Sequence, residues 1–158
     1  MARDKLDSTD LKILRKLQEN GKITNLQLSE DIGLSPAPTL ERVRKLESAK
    51  VITGYHAIVD ESALGIGIKA FIQLSLGSQG GNFISDFKQR IDAINEIVEC
   101  YQVTGNCDFL LKIEVADIPA FENLISNKLS KIEEIRNMQT LVILSQPKKF
   151  RVVPTTYE

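Results

Sequence analysis

An apolar residue at every second position from Ile66 to Leu76 is the feature that most constrains how this chain folds. This period places alternate side chains on the two faces of an extended strand, which Gly80-Gly81 would end. A helical pattern follows, then β-rich runs over 97–104 and 109–115, a second helical pattern, and a last β-rich run over 140–144. The order β-α-β-β-α-β predicts a ferredoxin-like α+β domain.

The first fifty residues have a different pattern, with three short helical segments separated by breaks. Leucines recur in steps of three from Leu11 to Leu17, which predicts an amphipathic first helix. Thr24, with Gln27 three residues later, is typical of a helix start, and Gly33 suits a tight turn because it adopts left-handed backbone angles. Ser35 is a favourable N-cap for the third helix. Three such helices favour a helix-turn-helix unit.

This contrast divides the chain into a helix-turn-helix DNA-binding domain at 1–52, a linker strand at 53–64 and a ferredoxin-like domain at 65–158. Apolar residues make up 42% of the sequence and charged residues 26%, which predicts a packed core. No apolar run approaches the ~18 residues that span a bilayer, so we expect a cytoplasmic protein without a membrane partner. Cys100 and Cys107 lack a metal or redox spacing, and no cofactor or metal is predicted.

The third predicted helix carries the residues expected to contact double-stranded DNA. In helix-turn-helix proteins the N-terminal end of this helix enters the major groove, and its free amides attract phosphate. Arg42 can bond a guanine or a phosphate, and Lys45 shares its face while Arg44 lies on the flank. A basic helix face is also common on solvated surfaces, so this remains a hypothesis. The predicted DNA-binding residues are Ser35, Ala37, Pro38, Thr39, Arg42, Arg44 and Lys45.

Several runs of this sequence resemble the Lrp/AsnC (feast/famine) transcription regulators. The runs are LDSTDLKIL at 6–14, LSEDIGLS at 28–35, LERVRKLE at 40–47, VITGY at 51–55 and TGNCDFLLK at 104–112. They cover nearly the whole chain in order. The resemblance implies a winged helix-turn-helix domain that reads an operator. It also implies a C-terminal domain that pairs through its sheet into homodimers, which commonly assemble into octamers as tetramers of dimers.

The resemblance further implies an effector, an amino acid or related small metabolite, bound between dimers near a glycine-aspartate hairpin. The carboxylate of Asp108 would accept from the ligand ammonium, and backbone amides around Gly105 would donate to its carboxylate. Alternatively, Gly105-Asn106 is only a hairpin turn and Asp108 a turn cap. Cys107 stands where relatives often carry a larger aromatic residue, which leaves the ligand's identity open. The candidate effector-binding residues are Thr104, Gly105, Asn106, Asp108 and Thr140.

Other classes of function have less support in the sequence. His56, the single histidine, has no nucleophile near it in the sequence, and Gly65-Ile66-Gly67 precedes a strand instead of opening a helix as a dinucleotide loop does. No catalytic residue is predicted, so we expect no enzyme. The second half could instead act as a metabolite-binding module on an enzyme. The remaining alternative is an architectural DNA-binding protein with little effector response.

Overall fold

The computed structural model describes residues 6–77, 83–148 and 152–155. The chain forms two compact units. The first holds the residues up to Ile58 together with the tail from Lys148, and the second is Val59–Pro147. Gly80-Gly81, which we predicted to end the first strand of the second unit, lie outside the described residues. Within the described ranges, no helix is long and apolar enough to cross a membrane.

The first unit is a three-helix bundle, as predicted for a helix-turn-helix. The Asp7 side chain accepts from the backbone N–H of Asp10, and the Asp10 side chain accepts from that of Asp7, so a capping box starts the first helix. Thr24 caps the second helix, which ends at Gly33 with φ 74°. The three helices meet in a core of Ile13, Leu28 and Leu46. Their bounds are α1 Ser8–Glu19, α2 Asn25–Ile32 and α3 Pro36–Ser48.

The turn between α2 and α3 is held by a side chain that the sequence reading overlooked. Ser35 is the N-cap of α3, but its hydroxyl makes no capping bond. Instead, Asn25 Nδ2 at the start of α2 donates to the backbone oxygen of Pro36 at 2.8 Å. Leu40, predicted to face inward, is 38% exposed, whereas Leu46 is buried. The inward stripe of α3 therefore passes through Thr39 and Leu46, both buried, and not through Leu40.

The predicted linker strand over 53–64 is wrong, since these residues pair with no strand in the part of the chain that the structure describes. Residues 53–60 have no regular secondary structure and 61–65 form turns. A strand requires a neighbour for its N–H and C=O groups, and local composition does not supply one. The tail also departs from the prediction that placed it in the second domain. Gln18 of α1 exchanges two hydrogen bonds with the backbone of Val153, at 2.6 and 3.3 Å.

The second unit has the predicted ferredoxin-like topology. Its four strands form one antiparallel sheet in the order β2-β3-β1-β4. The last strand was predicted at 140–144 and begins five residues earlier, at Ile135. After Asn123, α5 continues as a wide π-helical turn over Leu124–Lys128 and then as a tight 3₁₀ turn over Leu129–Lys131. The bounds are β1 Ile68–Leu76, α4 Phe83–Asp92, β2 Ile97–Gln102, β3 Phe109–Val115, α5 Ile118–Asn123 and β4 Ile135–Val142.

The helices cover one face of this sheet. Ile72 at the centre of β1 is fully buried, and it pairs with Leu111 on one side and Thr140 on the other. Phe87 of α4 packs on Phe109 with ring centroids 4.7 Å apart. The opposite face lies under no helix of this unit within the described residues. Its apolar side chains are Phe71, Tyr101, Leu110 and Leu141, as the strand register requires.

Candidate functional site

Thr39 does not belong to the outer face of α3, where we placed it as a contact to DNA. Its side chain is fully buried, and its hydroxyl donates to the backbone oxygen of Ser35 at 2.9 Å. This bond to the carbonyl four residues earlier is a common arrangement of threonine within a helix. The helical wheel gave its direction wrongly because the first turn of α3 packs against the bundle. Thr39 is therefore a packing residue.

Arg42 also forms ion pairs within the bundle. Its Nη1 lies 2.7 Å from Asp7 Oδ2 and 2.8 Å from Asp10 Oδ1, so one guanidinium joins α3 to the capping box of α1. The hydrogen bond from the backbone N–H of Asp10 lowers the pKa of Asp7 most, and the hydrogen bond from the Arg42 guanidinium lowers it further. The hydrogen bonds that Arg42 donates to these two carboxylates raise its own pKa. Both bonds use Nη1 alone and the side chain is 36% exposed, so Arg42 has a structural role within the bundle and its contact with DNA stays a prediction.

The rest of the predicted DNA-binding set lies at the surface of α3. Ser35 and Ala37 are exposed at its N-terminal end, Pro38 is half-buried, and Arg44 and Lys45 are exposed further along. These residues lie along α3 from its N-terminus to its second half. A positive helix end followed by two basic side chains is suited to a phosphate backbone.

The hairpin between β2 and β3 is the second candidate site. Asp108 Oδ2 accepts from the backbone N–H of Leu76 at 2.7 Å, and the Asp108 N–H donates to the oxygen of Leu74 at 2.8 Å. The backbone carbonyl oxygen of Asp108 in turn accepts from the backbone N–H of Val103 at 3.0 Å. Asp108 therefore joins the hairpin to the end of the central strand β1. This is the capping role we had weighed against a ligand-binding role, and the second carboxylate oxygen is not used by these bonds.

The turn beyond Asp108 is open to solvent. Thr104, Gly105 and Asn106 are exposed. Gly105 has φ 122°, a backbone conformation that residues with a side chain rarely adopt. Thr140 is not brought to this turn within the chain. Thr140 lies on β4 and pairs with Ile72 of β1. Ile72 precedes Leu76 by four residues, so Thr140 is roughly 13 Å along the sheet from the point where Asp108 is bonded.

The uncovered sheet face is polar near β2 and apolar at its centre. Lys112 Nζ lies 3.1 Å from Glu99 Oε1 and 3.2 Å from Glu114 Oε1. Burial alone would lower the pKa of Lys112, but the hydrogen bonds to these two carboxylates outweigh it and raise the pKa. Tyr101 also donates to Glu99. The charged groups on this part of the face are therefore already paired within one chain.

Comparison with known proteins finds two family domains in this order, and the second match extends into the tail that folds with the first unit. Residues 6–53 match the family model for winged helix-turn-helix DNA-binding domains, and residues 69–153 match that for the Lrp/AsnC ligand binding domain. The chain is 38% identical to the leucine-responsive regulatory protein of Haemophilus influenzae, over 91% of this chain and 87% of that protein. It is 37% identical to the protein of the same name from Rhizobium meliloti, over 94% and 95%.

This chain belongs to the Lrp/AsnC family. A transcriptional regulator from Neisseria meningitidis, solved as a complex with L-Met, superposes with a TM-score of 0.91 at 33% identity. The superposition covers 95% of this chain and 97% of that one. The chain is thus a DNA-binding transcription regulator of the Lrp/AsnC type with an effector-binding domain. The predicted fold class and the predicted family are both confirmed.

Two parts of this Lrp/AsnC chain were absent from the sequence interpretation. The first is the Asp7-Asp10 capping box, although its i,i+3 acidic spacing directly before a helix is a readable signal. The second is a cavity between α4 and β2, lined by residues from both elements. No local pattern in the sequence indicates such a cavity, because its walls are separate in sequence and are brought together by the sheet.

Proposed function

We propose that this Lrp/AsnC chain is a sequence-specific transcription regulator whose DNA binding or assembly is modulated by an amino acid or similar small metabolite. The observation that carries the proposal is the presence of both family domains in one chain, a helix-turn-helix at 6–53 and a ligand-binding domain at 69–153. The relative from Neisseria meningitidis, solved with L-Met, supports an amino acid as the class of effector.

DNA is bound through the surface of α3. Arg44 and Lys45 contact phosphate or base edges, while Ser35 and Ala37 approach the groove with the helix N-terminus. One such helix binds weakly alone. A twofold dimer presents two of them to half-sites about one helical turn apart, ~34 Å or a multiple of it.

The dimer forms through the uncovered face of the sheet. Phe71 is half-buried, and Leu141 and Tyr101 remain 42% and 41% exposed. Removing such apolar surface from water contributes roughly 25 cal/mol per Å². Lys112 is already paired with two carboxylates beside these residues, which lowers the cost of covering the face.

Dimers assemble further into octamers, and the effector binds near the hairpin between dimers. Thr104, Gly105, Asn106 and Asp108 contribute to that site, with Thr140 from the same or a neighbouring subunit.

The test combines three measurements on the intact protein. Thermal unfolding with each of the twenty amino acids finds the ligand, because binding only to the folded state raises Tm by mass action. Fluorescence anisotropy with selected operator DNA and with shuffled DNA measures specificity, and light scattering measures assembly. We expect at least one amino acid to raise Tm and to change operator affinity or mass. Equal affinity for operator and shuffled DNA, with no amino-acid response, would instead indicate an architectural protein.

A further inference from the structure

A cavity of about 340 Å³ lies between α4 and the edge strand β2 of the second unit. Lys88, Ile91 and Asp92 line it from the helix, and residues 97–100 with Gln102 line it from the strand. Its volume is at the lower end of the ~300–1,000 Å³ that small-molecule sites occupy. That size suits a ligand as small as a single amino acid. Thr104, Gly105, Asn106 and Asp108, the hairpin candidates, are not part of its wall.

Lys88 and Asp92 give the rim of this cavity a cation and an anion at a short spacing. The third charged lining residue, Glu99, has its carboxylate paired with Lys112. Lys88 and Asp92 are four residues apart on α4, so their side chains are neighbours on one helix face. Lys88 Nζ is 3.4 Å from Gln102 Oε1, a long and weak hydrogen bond. Within the described residues, Asp92 makes neither a hydrogen bond nor an ion pair. Both charges are therefore available to a ligand that carries a carboxylate and an ammonium.

The opposite wall contains an irregularity in the sheet. The pairing of β2 with β3 passes from Ile97 opposite Ile113 to Glu99 opposite Lys112, so Val98 is an extra residue in the strand. A bulged residue lacks a partner in the ladder, and bulges are frequent beside functional sites. Val98 is also 46% exposed and lies on an edge strand. Val98 is one of the residues that line the cavity.

The inner part of the cavity is apolar. Ile91 is 4% exposed and Phe109 is 1% exposed, so both belong to the core of the unit, and half-buried Ile97 adjoins them. Such a wall favours an aliphatic or thioether side chain. A charged ligand side chain would instead lose its hydration here without gaining a partner.

We propose that the α4–β2 cavity binds an α-amino acid with an apolar side chain. Lys88 holds the ligand carboxylate, Asp92 holds its ammonium, and Ile91, Ile97 and Phe109 contact the side chain. The cavity is a second amino-acid site besides the one proposed at the hairpin, and the proposal rests on the proposed response to an amino acid. The cavity is linked to the hairpin through the chain, since Gln102 precedes residues 103–108 and Phe109 follows them.

Two cysteines make the two possible sites distinguishable in the unaltered protein. Cys100 is exposed in the cavity wall, and Cys107 is half-buried in the hairpin. Alkylation by N-ethylmaleimide, followed by peptide mass spectrometry, measures the modification rate of each thiol separately. Burial raises the pKa of Cys100, so the reaction is run at mildly alkaline pH. We expect L-leucine or L-methionine to slow the alkylation of Cys100 at least threefold, with a smaller effect at Cys107.

Variants and ligand analogues test the assigned charges. Lys88→Gln should abolish protection of Cys100, and the matched control Lys131→Gln, an exposed lysine outside the cavity, should leave it intact. 4-Methylpentanoic acid and isopentylamine each lack one charge of leucine, and both should protect at least tenfold less well at equal concentration. Protection of both thiols also supports the proposal, provided that Lys88→Gln removes both.

Three results would overturn the cavity as the ligand site: protection of Cys107 alone, protection that persists unchanged in Lys88→Gln, or no protection of Cys100 by any of the twenty amino acids. Operator binding, measured in parallel, separates this proposal from the one on which it rests. An amino acid that changes operator affinity without protecting Cys100 leaves the regulator intact and excludes the cavity. Protection of Cys100 without any change in DNA affinity or assembly supports the cavity and excludes effector control.

Discussion

Replacing Asp108 separates the structural role of this residue from a role in binding the effector. Its Oδ2 accepts from the backbone N–H of Leu76 at 2.7 Å in a half-buried setting. Asp108→Ala leaves that N–H without a partner. A hydrogen bond to a charged group contributes about 1.5–3 kcal/mol, and partial exposure places this one near 1.5 kcal/mol. For a unit of this size we expect Tm to fall by roughly 6–12 °C.

Asp108→Asn provides the sharper comparison, because the amide oxygen can still accept from Leu76 while the charge is lost. A bond without charge is roughly half as strong, so we expect Asn to lose about half as much stability as Ala. Scanning calorimetry measures both variants, and Asn106→Ala, an exposed neighbour in the same turn, controls for general effects on stability. If Asp108 also binds the ligand ammonium, the Asn variant stays folded and loses its amino-acid response.

The calorimetry can refute this reasoning in two ways. A Tm of Asp108→Ala within 2 °C of the parent would mean that the bond to Leu76 contributes little in solution. Equal losses in the Ala and Asn variants would mean that charge, and not the retained acceptor, accounts for the stability. In either case, Asp108 would no longer be the residue that joins the hairpin to β1.

Three further predictions concern the other contacts. Because the folded pKa of Asp7 lies below its unfolded value of ~3.9, its contribution to stability is complete above that pH and is lost as the pH falls through the folded pKa. Asp7→Asn should therefore reduce the loss of stability in acid, and Arg42→Met should reduce it partly. Urea midpoints at neutral and acid pH measure both variants. An unchanged acid profile would contradict the pairing of Asp7 with Arg42. Arg44→Ala should weaken operator binding and reduce the salt slope by ~1, whereas an unchanged slope in anisotropy titrations would exclude a phosphate contact. Leu141→Glu should lower the mass measured by light scattering toward that of the monomer, and an unchanged mass would place the interface elsewhere.

The parts of the fold that the sequence predicted are those with a regular local period. The alternation from Ile68 to Leu76 corresponds to strand β1, in which Ala70, Ile72 and Leu74 are buried. The helix starts at Thr24 and Ser35 also followed from their residue types. These features depend on contacts within a few residues, which local composition encodes.

The features that the sequence interpretation missed or predicted incorrectly depend on contacts between distant residues. Arg42 lies 32 and 35 positions from Asp10 and Asp7, and a helical wheel of α3 contains no information about α1. Thr39 was assigned to the outer face for the same reason. The linker strand required a pairing partner that its own residues do not specify. The α4–β2 cavity likewise depends on Lys88 and Val98 meeting across the helix–sheet interface.

The paired charges in the first unit change how DNA recognition should be understood. With Arg42 bound to Asp7 and Asp10, its removal would loosen the attachment of α3 to α1 and so misplace the whole reading surface. Lower DNA affinity in an Arg42 variant is therefore insufficient evidence of a base contact. Arg44 has no such tie in the described residues, so its removal reports on DNA directly.

A ligand can shift assembly only as far as its affinity differs between the assembled and dissociated states. A site enclosed within one rigid unit would bind equally well in both states and would have no effect on either. The α4–β2 cavity is not enclosed, because exposed Val98 and Asp92 form part of its wall on the sheet edge. A neighbouring subunit that covered this edge would contact the bound amino acid, which gives the ligand a higher affinity for the assembled state. By linkage, the assembled state must then bind the amino acid more tightly by the same factor that the ligand adds to assembly.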